Sequence, residues 1–240
     1  MKKNLLLVLF IMAVCSANAQ FRFGVTAGGN VSKITMEDGL GNNNGLYKSR
    51  IGFQGGAVAE YMFSDVFGLQ TRLLYTQNGS NMDKERLIEV LRITNDEEIP
   101  EGMTMGGRTI YNQIQLPLYA KVKYPIAPGL DIYGLFGGFA GYIFDGKAKM
   151  EAKLNGVTQS FTWDLFDVQI FDGQSTEINP YYTKRWNAGL AVELGFELSD
   201  KMFLGVGYKR ILTEMSAYSI AGYRLKTHLD DFSLSAGYFF

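Results

Sequence analysis

The sequence predicts an all-β fold: an eight-stranded antiparallel transmembrane β-barrel, wound as an up-and-down meander with long extracellular loops. Three observations predict it. Apolar and polar residues alternate with a period of two through eight segments, the pattern of strands with two unlike faces. The connections between those segments are short and long in strict alternation. An export leader precedes the first segment, and no later apolar run approaches the ~20 residues of a membrane helix. An exported chain of this kind enters a membrane only by closing its strands into a ring, where every backbone polar group is paired.

The leader is Met1 to Ala19, with Lys2 and Lys3 as its basic start, Leu5 to Val14 as its apolar run and Ala17-Asn18-Ala19 as the cleavage site. Residues 20–240 then form one barrel domain. Cys15 is the chain's only cysteine and lies in the leader, so disulfides and thiol chemistry are not expected in the mature protein. The balance of 23 basic and 24 acidic residues leaves no basic field for nucleic acid.

The first segment, Phe21 to Asn30, sets Phe23, Val25 and Ala27 against Arg22, Thr26 and Gly28. Arg50 to Phe63 sets Ile51, Phe53, Ala57 and Tyr61 against Gln54 and Glu60. Phe67 to Asn78 opposes Leu69, Leu73 and Tyr75 to Gln70, Arg72 and Thr76. Arg108 to Tyr124 opposes Ile114, Leu116 and Leu118 to Gln113, Gln115, Tyr119 and Lys121. Leu130 to Phe144 is rich in glycine and aromatics, and its two faces are nearly equal in polarity. Lys184 to Leu198 sets Leu190, Val192 and Leu194 against Asn187, Glu193 and Glu197. Met202 to Ile211 sets Leu204, Val206 and Tyr208 against Gly205, Gly207 and Lys209. Asp231 to Phe240 closes the set, with Phe232, Leu234, Ala236, Tyr238 and Phe240 on one face and Phe239 as the exception on the other.

Alternation alone does not say which face is outside. Export, aromatics near the strand ends and polar faces mixing bulky residues with glycine all favour lipid outside and a crowded interior. Arg22, Glu60, Arg72, Lys121, Glu193 and Lys209 are then interior charges. Pairing Leu198 with Met202 puts Glu193 opposite Gly207 and makes Lys209 its diagonal neighbour, so the expected interior pair is Glu193 with Lys209, with Arg72 nearby. The tight connections are Ser64 to Val66, Pro125 to Gly129 and Ser199 to Lys201. The long ones are 31–49, 79–107, 145–183 and 212–224. An even strand number with tight periplasmic turns puts both termini in the periplasm of an outer membrane.

The terminal Tyr238 and Phe240 resemble the signal read by the barrel-assembly machinery. The chain as a whole resembles the PorT-like outer-membrane β-barrel family, a group of small porin-like barrels. The matching stretches are Phe21-Arg22-Phe23-Gly24-Val25-Thr26-Ala27-Gly28, Gln115-Leu116-Pro117-Leu118-Tyr119-Ala120-Lys121, Tyr133-Gly134-Leu135-Phe136-Gly137-Gly138 and the aromatic terminus. The resemblance implies an outer-membrane location, the barrel fold and an envelope or secretion-accessory role. It transfers no catalytic residue.

No enzyme, cofactor or metal site is expected. His228 is the only histidine, so any histidine mechanism runs through it, and no serine stands in a recognisable relation to it. Asp96-Glu97-Glu98 and the group Asp164, Asp167, Asp172 match no calcium-loop spacing. Gly28-Gly29-Asn30 and Gly137-Gly138 precede no helix and so are not nucleotide loops. Asp83 to Ile93, with Leu87, Val90, Leu91 and Ile93, fits a short amphipathic helix.

In the longest loop, Lys147 to Leu154 and Val157 to Trp163 alternate about Asn155-Gly156, the strongest short hairpin signal. One register pairs Leu154 with Val157, Met150 with Phe161 and Ala148 with Trp163. Met150, Phe161 and Trp163 form the candidate binding surface of this hairpin. The expected partners are outer-membrane lipid, the assembly machinery and an envelope or secretion protein met through the loops. The leading reading is a non-enzymatic envelope anchor or loop-borne binding module. The alternative is a narrow channel for small solutes, and a lipid-modifying enzyme of the outer leaflet comes third.

Overall fold

A computed structural model describes residues 20–240, except 39–40, 43–44, 86, 89–99, 101, 167–169, 172–174, 177–182, 216–218, 221–222 and 225. The expected leader, 1–19, lies outside the described residues, as do Val90, Leu91, Ile93, Asp96, Glu97, Glu98, Asp167 and Asp172.

Alternating sequence becomes strand wherever it was expected. The long strands are β1 (Gln20–Asp38), β2 (Arg50–Met62), β3 (Phe67–Met82), β4 (Thr104–Ala127), β5 (Leu130–Leu154), β6 (Val157–Asp164), β7 (Trp186–Leu198), β8 (Met202–Ile211) and β9 (Lys226–Phe239). Each ring strand is antiparallel to the next, and eight of them close a barrel. β9 closes on β1 from Gly24 opposite Phe239 to Glu37 opposite Lys226. β5 closes on β7 from Leu130 opposite Leu198 to Tyr142 opposite Trp186. β6 is the ninth strand, paired to the far half of β5 beyond the ring.

The wall is inside out relative to a soluble barrel. Phe136, Leu194 and Val206 are 61, 69 and 62% exposed on its outer face, whereas Glu60, Arg72 and Lys121 are 1, 2 and 1% exposed within. Lipid solvates the outer residues, and the ring pairs the backbone groups that lipid cannot. The end carrying the tight turns, Gln20 and Phe240 is here called the turn end, and the opposite one the loop end. Among the described residues no helix is long and apolar enough to cross a membrane.

β1, β3, β4 and β9 run several residues further than the alternation suggested, and β5 runs on into the expected hairpin, so much of the sequence between the expected membrane strands is wall. One feature makes that extension feasible. Asn112 pairs with Asp145 and Gln113 with Ile143, which leaves Phe144 as an extra residue on β5. Such a bulge shifts the side-chain alternation by one. On the turn side of it, Tyr133, Leu135, Phe139 and Ile143 face inward and are buried. On the loop side, Gly146 and Ala148 are buried and Lys147 is exposed. The wall therefore presents apolar side chains outward within the lipid and polar ones outward beyond it, without leaving the sheet.

A second irregularity sits opposite, on β3. Gly79 has φ 148°, and a Cβ there would lie 1.9 Å from the Thr109 carbonyl oxygen. Ser32 seals the spot: its hydroxyl accepts from the Gly79 N–H and donates to the Gly79 carbonyl, both at 2.9 Å.

Candidate functional site

An eight-stranded barrel has room only for side chains along its axis, and here charged ones fill it. Near the turn end the Glu60 and Glu197 carboxylates, from β2 and β7, are fully buried and share two cations. Arg22 of β1 bonds Glu60 and reaches Glu197 at 2.7 Å; Lys121 of β4 bonds Glu60 at 2.7 Å and also Glu197. Gln70 donates to the second Glu60 oxygen at 2.8 Å. Phe239 closes this layer, with the Arg22 guanidinium 4.4 Å from its ring centre.

Midway along the axis Arg72 of β3 crosses the lumen to Glu193 of β7. Its two terminal nitrogens donate to the two carboxylate oxygens at 2.8 and 2.7 Å, the parallel fork that suits guanidinium to carboxylate. Tyr133 and Ser235 donate to the same carboxylate at 2.8 and 3.3 Å. Arg72 Nε donates to Gln70, and its guanidinium lies 5.4 Å from the Phe203 ring centre and 5.6 Å from that of Tyr119. Every polar atom of this pair has a partner, the condition under which a buried ion pair holds.

All six expected interior charges therefore point inward, but one expected pairing is corrected. Glu193 does stand opposite Gly207, yet Lys209 does not pair with it. Arg72 approaches from the facing wall and takes both oxygens. Lys209 instead donates to Gln54 and Gln115, each at 2.9 Å. Diagonal proximity on one sheet lost to a longer side chain reaching across the lumen. The sequence reading placed Glu197 on the right face without giving it a role, although its parity matches that of Glu193. It missed the inward roles of Tyr133 and Phe203, which only the handedness of β5 and the closure of the ring reveal.

Further toward the loop end Asp231 accepts from Asn30 at 2.9 Å and from Asn78 at 3.5 Å, and Asn187 donates to Gln113 at 3.0 Å. From the level of the bulge onward the interior is largely apolar: Ile34, Met82, Leu87, Tyr111, Ile143, Ala148, Leu165, Ile211, Met215 and Leu229 belong to the buried cluster there. The β5–β6 hairpin joins it. Its register is the expected one from Leu154 opposite Val157 to Ala148 opposite Trp163, turned by Asn155 and Gly156 at φ 49° and 82°. Met150 and Trp163 pack against the cluster, as does Met105 at the start of β4. Phe161 stacks on Trp163 at 5.9 Å and stays 48% exposed, and Val157 near the tip is 66% exposed. The cluster thus covers the root of the hairpin's apolar face and not its tip.

Lys84, Glu85, Leu87 and Ile88 are helical, starting where the expected amphipathic helix starts. Asp83 caps the turn, its side chain accepting from the Glu85 N–H at 3.0 Å. Tyr238 on β9 and Phe240 just past its end are 40 and 79% exposed. His228 lies opposite Thr35 on the outward side, half-buried. Asp164 accepts from the Phe166 N–H at 2.8 Å, a turn-forming role. Among the described residues, Asp131, Glu197 and Asp200 bring three carboxylates together. The Lys123 ammonium already sits among them, at 3.1, 3.7 and 2.6 Å.

A closed antiparallel ring with an apolar exterior, an ion-paired lumen and strands that run past the lipid defines a small membrane-spanning β-barrel. The family described as the outer membrane protein beta-barrel domain matches residues 16–216, and the chain belongs to it. An outer-membrane location follows from that membership. Among solved structures the chain is similar to Ail, the attachment invasion locus protein of Yersinia pestis, at 14% identity over 92% of this chain and 99% of that one, with a TM-score of 0.40. It is also similar to the outer membrane protein OprG of Pseudomonas aeruginosa, at 13% identity over 91% of this chain and 95% of that one, with a TM-score of 0.41. No curated protein matches the chain. The ring itself rests on the strand pairing and not on these likenesses.

Proposed function

We propose that the protein is a non-enzymatic outer-membrane anchor that holds a binding surface beyond the lipid, within the PorT-like group of envelope and secretion accessories. The lumen carries this reading. Arg72 and Glu193 tie one wall to the other across the axis, and Glu60, Glu197, Arg22 and Lys121 do the same nearer the turn end. A lumen crossed by these ion pairs acts as a rigid strut for the ribbon of β4, β5 and β6. That ribbon carries the exposed Phe161 and Val157 and continues directly from the wall.

On this reading the loop end faces the cell exterior and both termini lie in the periplasm. Tyr238 and Phe240 serve the assembly machinery, and an envelope or secretion protein docks on the hairpin at Met150, Phe161 and Trp163. Replacing 147–172 with a short Gly-Ser linker should leave a heat-modifiable barrel and abolish recovery of the partner from native envelopes. Full recovery of the same partner by the shortened protein would sink the proposal. Ser160→Cys should react with a membrane-impermeant maleimide on intact cells and Asp65→Cys should not; the reverse pattern contradicts the orientation.

A narrow channel is the second reading. Asn30, Asn78 and Asp231 favour it: each has a buried side-chain oxygen in the lumen without a hydrogen-bond partner, which suits a water-lined segment. Bilayer conductance separates the two.

A further inference from the structure

On the outward side of the wall, past the bulge, β3, β4, β5 and β6 enclose a cleft of about 310 Å³. Its floor includes Gly106 and Gly107, and Lys84, Arg108, Lys149 and Lys153 line it together with a single carboxylate, Glu151. Arg108 and Lys149 are direct cross-strand partners, and Lys153 stands opposite Thr104 four residues along the same ladder. Like charges placed directly opposite each other destabilise a sheet. Among the described residues none of these four cations forms an ion pair. Two nearby acids are taken elsewhere, Asp83 by Lys48 and Asp145 by Lys147 at 3.4 Å, which leaves Glu151 as the one carboxylate against four cations in the lining. Gly106 contributes by its size. A Cβ there would stand 3.1 and 3.2 Å from the Lys84 methylenes, so the stem lies closely against β4.

The cleft's height and direction identify what it meets. Phe144, the outward aromatic at the bulge, is 44% exposed. Arg108 and Lys149 lie four to five residues past this level, on the order of 10 Å along a tilted strand. They point away from the barrel axis. At that height the surroundings of an outer-membrane barrel are the polar headgroups of the outer leaflet and not the lumen. Lysines supply point charge and arginine a planar fork, and together they match phosphate oxygens.

We propose that this cleft binds the phosphate-bearing sugar headgroups of outer-leaflet lipid, and that the bound phosphate relieves the Arg108–Lys149 repulsion. The proposal rests on the orientation given above. It makes the outer face of the ribbon a lipid contact and leaves the Phe161 side free for a partner.

The test titrates deep-rough lipopolysaccharide, the same lipid after enzymatic dephosphorylation, and heparin into the folded mature protein in neutral detergent micelles. Lipopolysaccharide should bind, and removal of its phosphates should weaken binding about tenfold or more, the scale of a lost charged hydrogen bond. Lys149→Glu should weaken lipopolysaccharide binding similarly while raising the melting temperature, because it turns the cross-strand repulsion into an ion pair. A merely structural role for Lys149 would not move the two readouts in opposite directions. Arg108→Gln with Lys153→Gln should weaken binding without the gain in melting temperature seen for Lys149→Glu. Undiminished lipopolysaccharide binding by these variants, indifference to phosphate removal, or binding of heparin alone would each overturn the proposal. A negative titration leaves the orientation intact, whereas failure of Ser160→Cys to label on cells overturns both.

Discussion

Arg72 and Glu193, 121 residues apart in the chain, meet in a two-pronged contact at 2.8 and 2.7 Å across the barrel axis. Their side chains are 2 and 4% exposed. Removing one partner strands a buried charge, and Glu193→Gln should cost about 3–5 kcal/mol. Replacing both by apolar residues, Arg72→Met with Glu193→Leu, should cost much less. The comparison is an unfolding titration in lipid vesicles. A double loss as large as the sum of the losses for Arg72→Met and Glu193→Leu made singly would show that the pair is not coupled.

Lys209 gives the contrasting case. It is 5% exposed, and its hydrogen bonds go to two neutral amides. Lys209→Met should therefore destabilise less than Glu193→Gln in the same titration. A larger loss would restore a direct Glu193–Lys209 interaction.

Most of the architecture was legible in the sequence because lipid imposes a strict period of two on residues such as Leu116, Leu118, Leu194 and Val206. The β5–β6 hairpin was legible to the register, since Asn155-Gly156 fixes the turn. The run of β5 into that hairpin was expected as well, but the extensions of β1, β3, β4 and β9 were not, because past the bulge at Phe144 the wall turns polar side chains outward without any mark in composition. The faces of β5 were illegible for a related reason: Gly134 and Gly138 sit outside where apolar residues are expected, and Tyr133 points in. The choice of Arg72 over Lys209 as partner of Glu193 depends on contact across the lumen, which strand-by-strand pairing cannot contain.

The two terminal phenylalanines should separate assembly from stability. Phe239 is 1% exposed and stacks near Arg22 and Phe203, so Phe239→Ala should cost about 3–5 kcal/mol in the folded barrel. Phe240 is exposed to lipid. Its deletion should change folded stability little when the protein is refolded in detergent, yet leave unfolded protein in the periplasm of cells. Normal membrane insertion of the Phe240 deletion would remove the assembly role.

Gly79→Ala should be strongly destabilising, by about 3 kcal/mol or more, because the added methyl meets the Thr109 carbonyl and φ is in a region alanine avoids. Gly102→Ala, also at positive φ but with open space around it, should cost about 1 kcal/mol. Similar losses at the two sites would mean that the wall around Gly79 yields.

The turn at Asp200 adds a pH dependence. A hydrogen bond from Lys123 holds this carboxyl below the usual aspartate range. A lowered value means that the stabilisation is complete above the ordinary aspartate value of about 3.9 and fades as pH falls through the folded one. Asp200→Asn should lower stability slightly in the neutral region and flatten the acid limb of the profile below about pH 4 by the same small amount, since the group is exposed. An unaltered acid limb would assign that sensitivity to other carboxylates.

The central claim is that ion pairs close the lumen and make the barrel an anchor. Single-channel recording on purified residues 20–240 in planar bilayers tests it most directly. The account predicts no stable conductance from the native protein and the appearance of openings when Arg72 and Glu193 are both changed to alanine. A steady, ion-selective conductance from the native protein would contradict it and establish the channel reading.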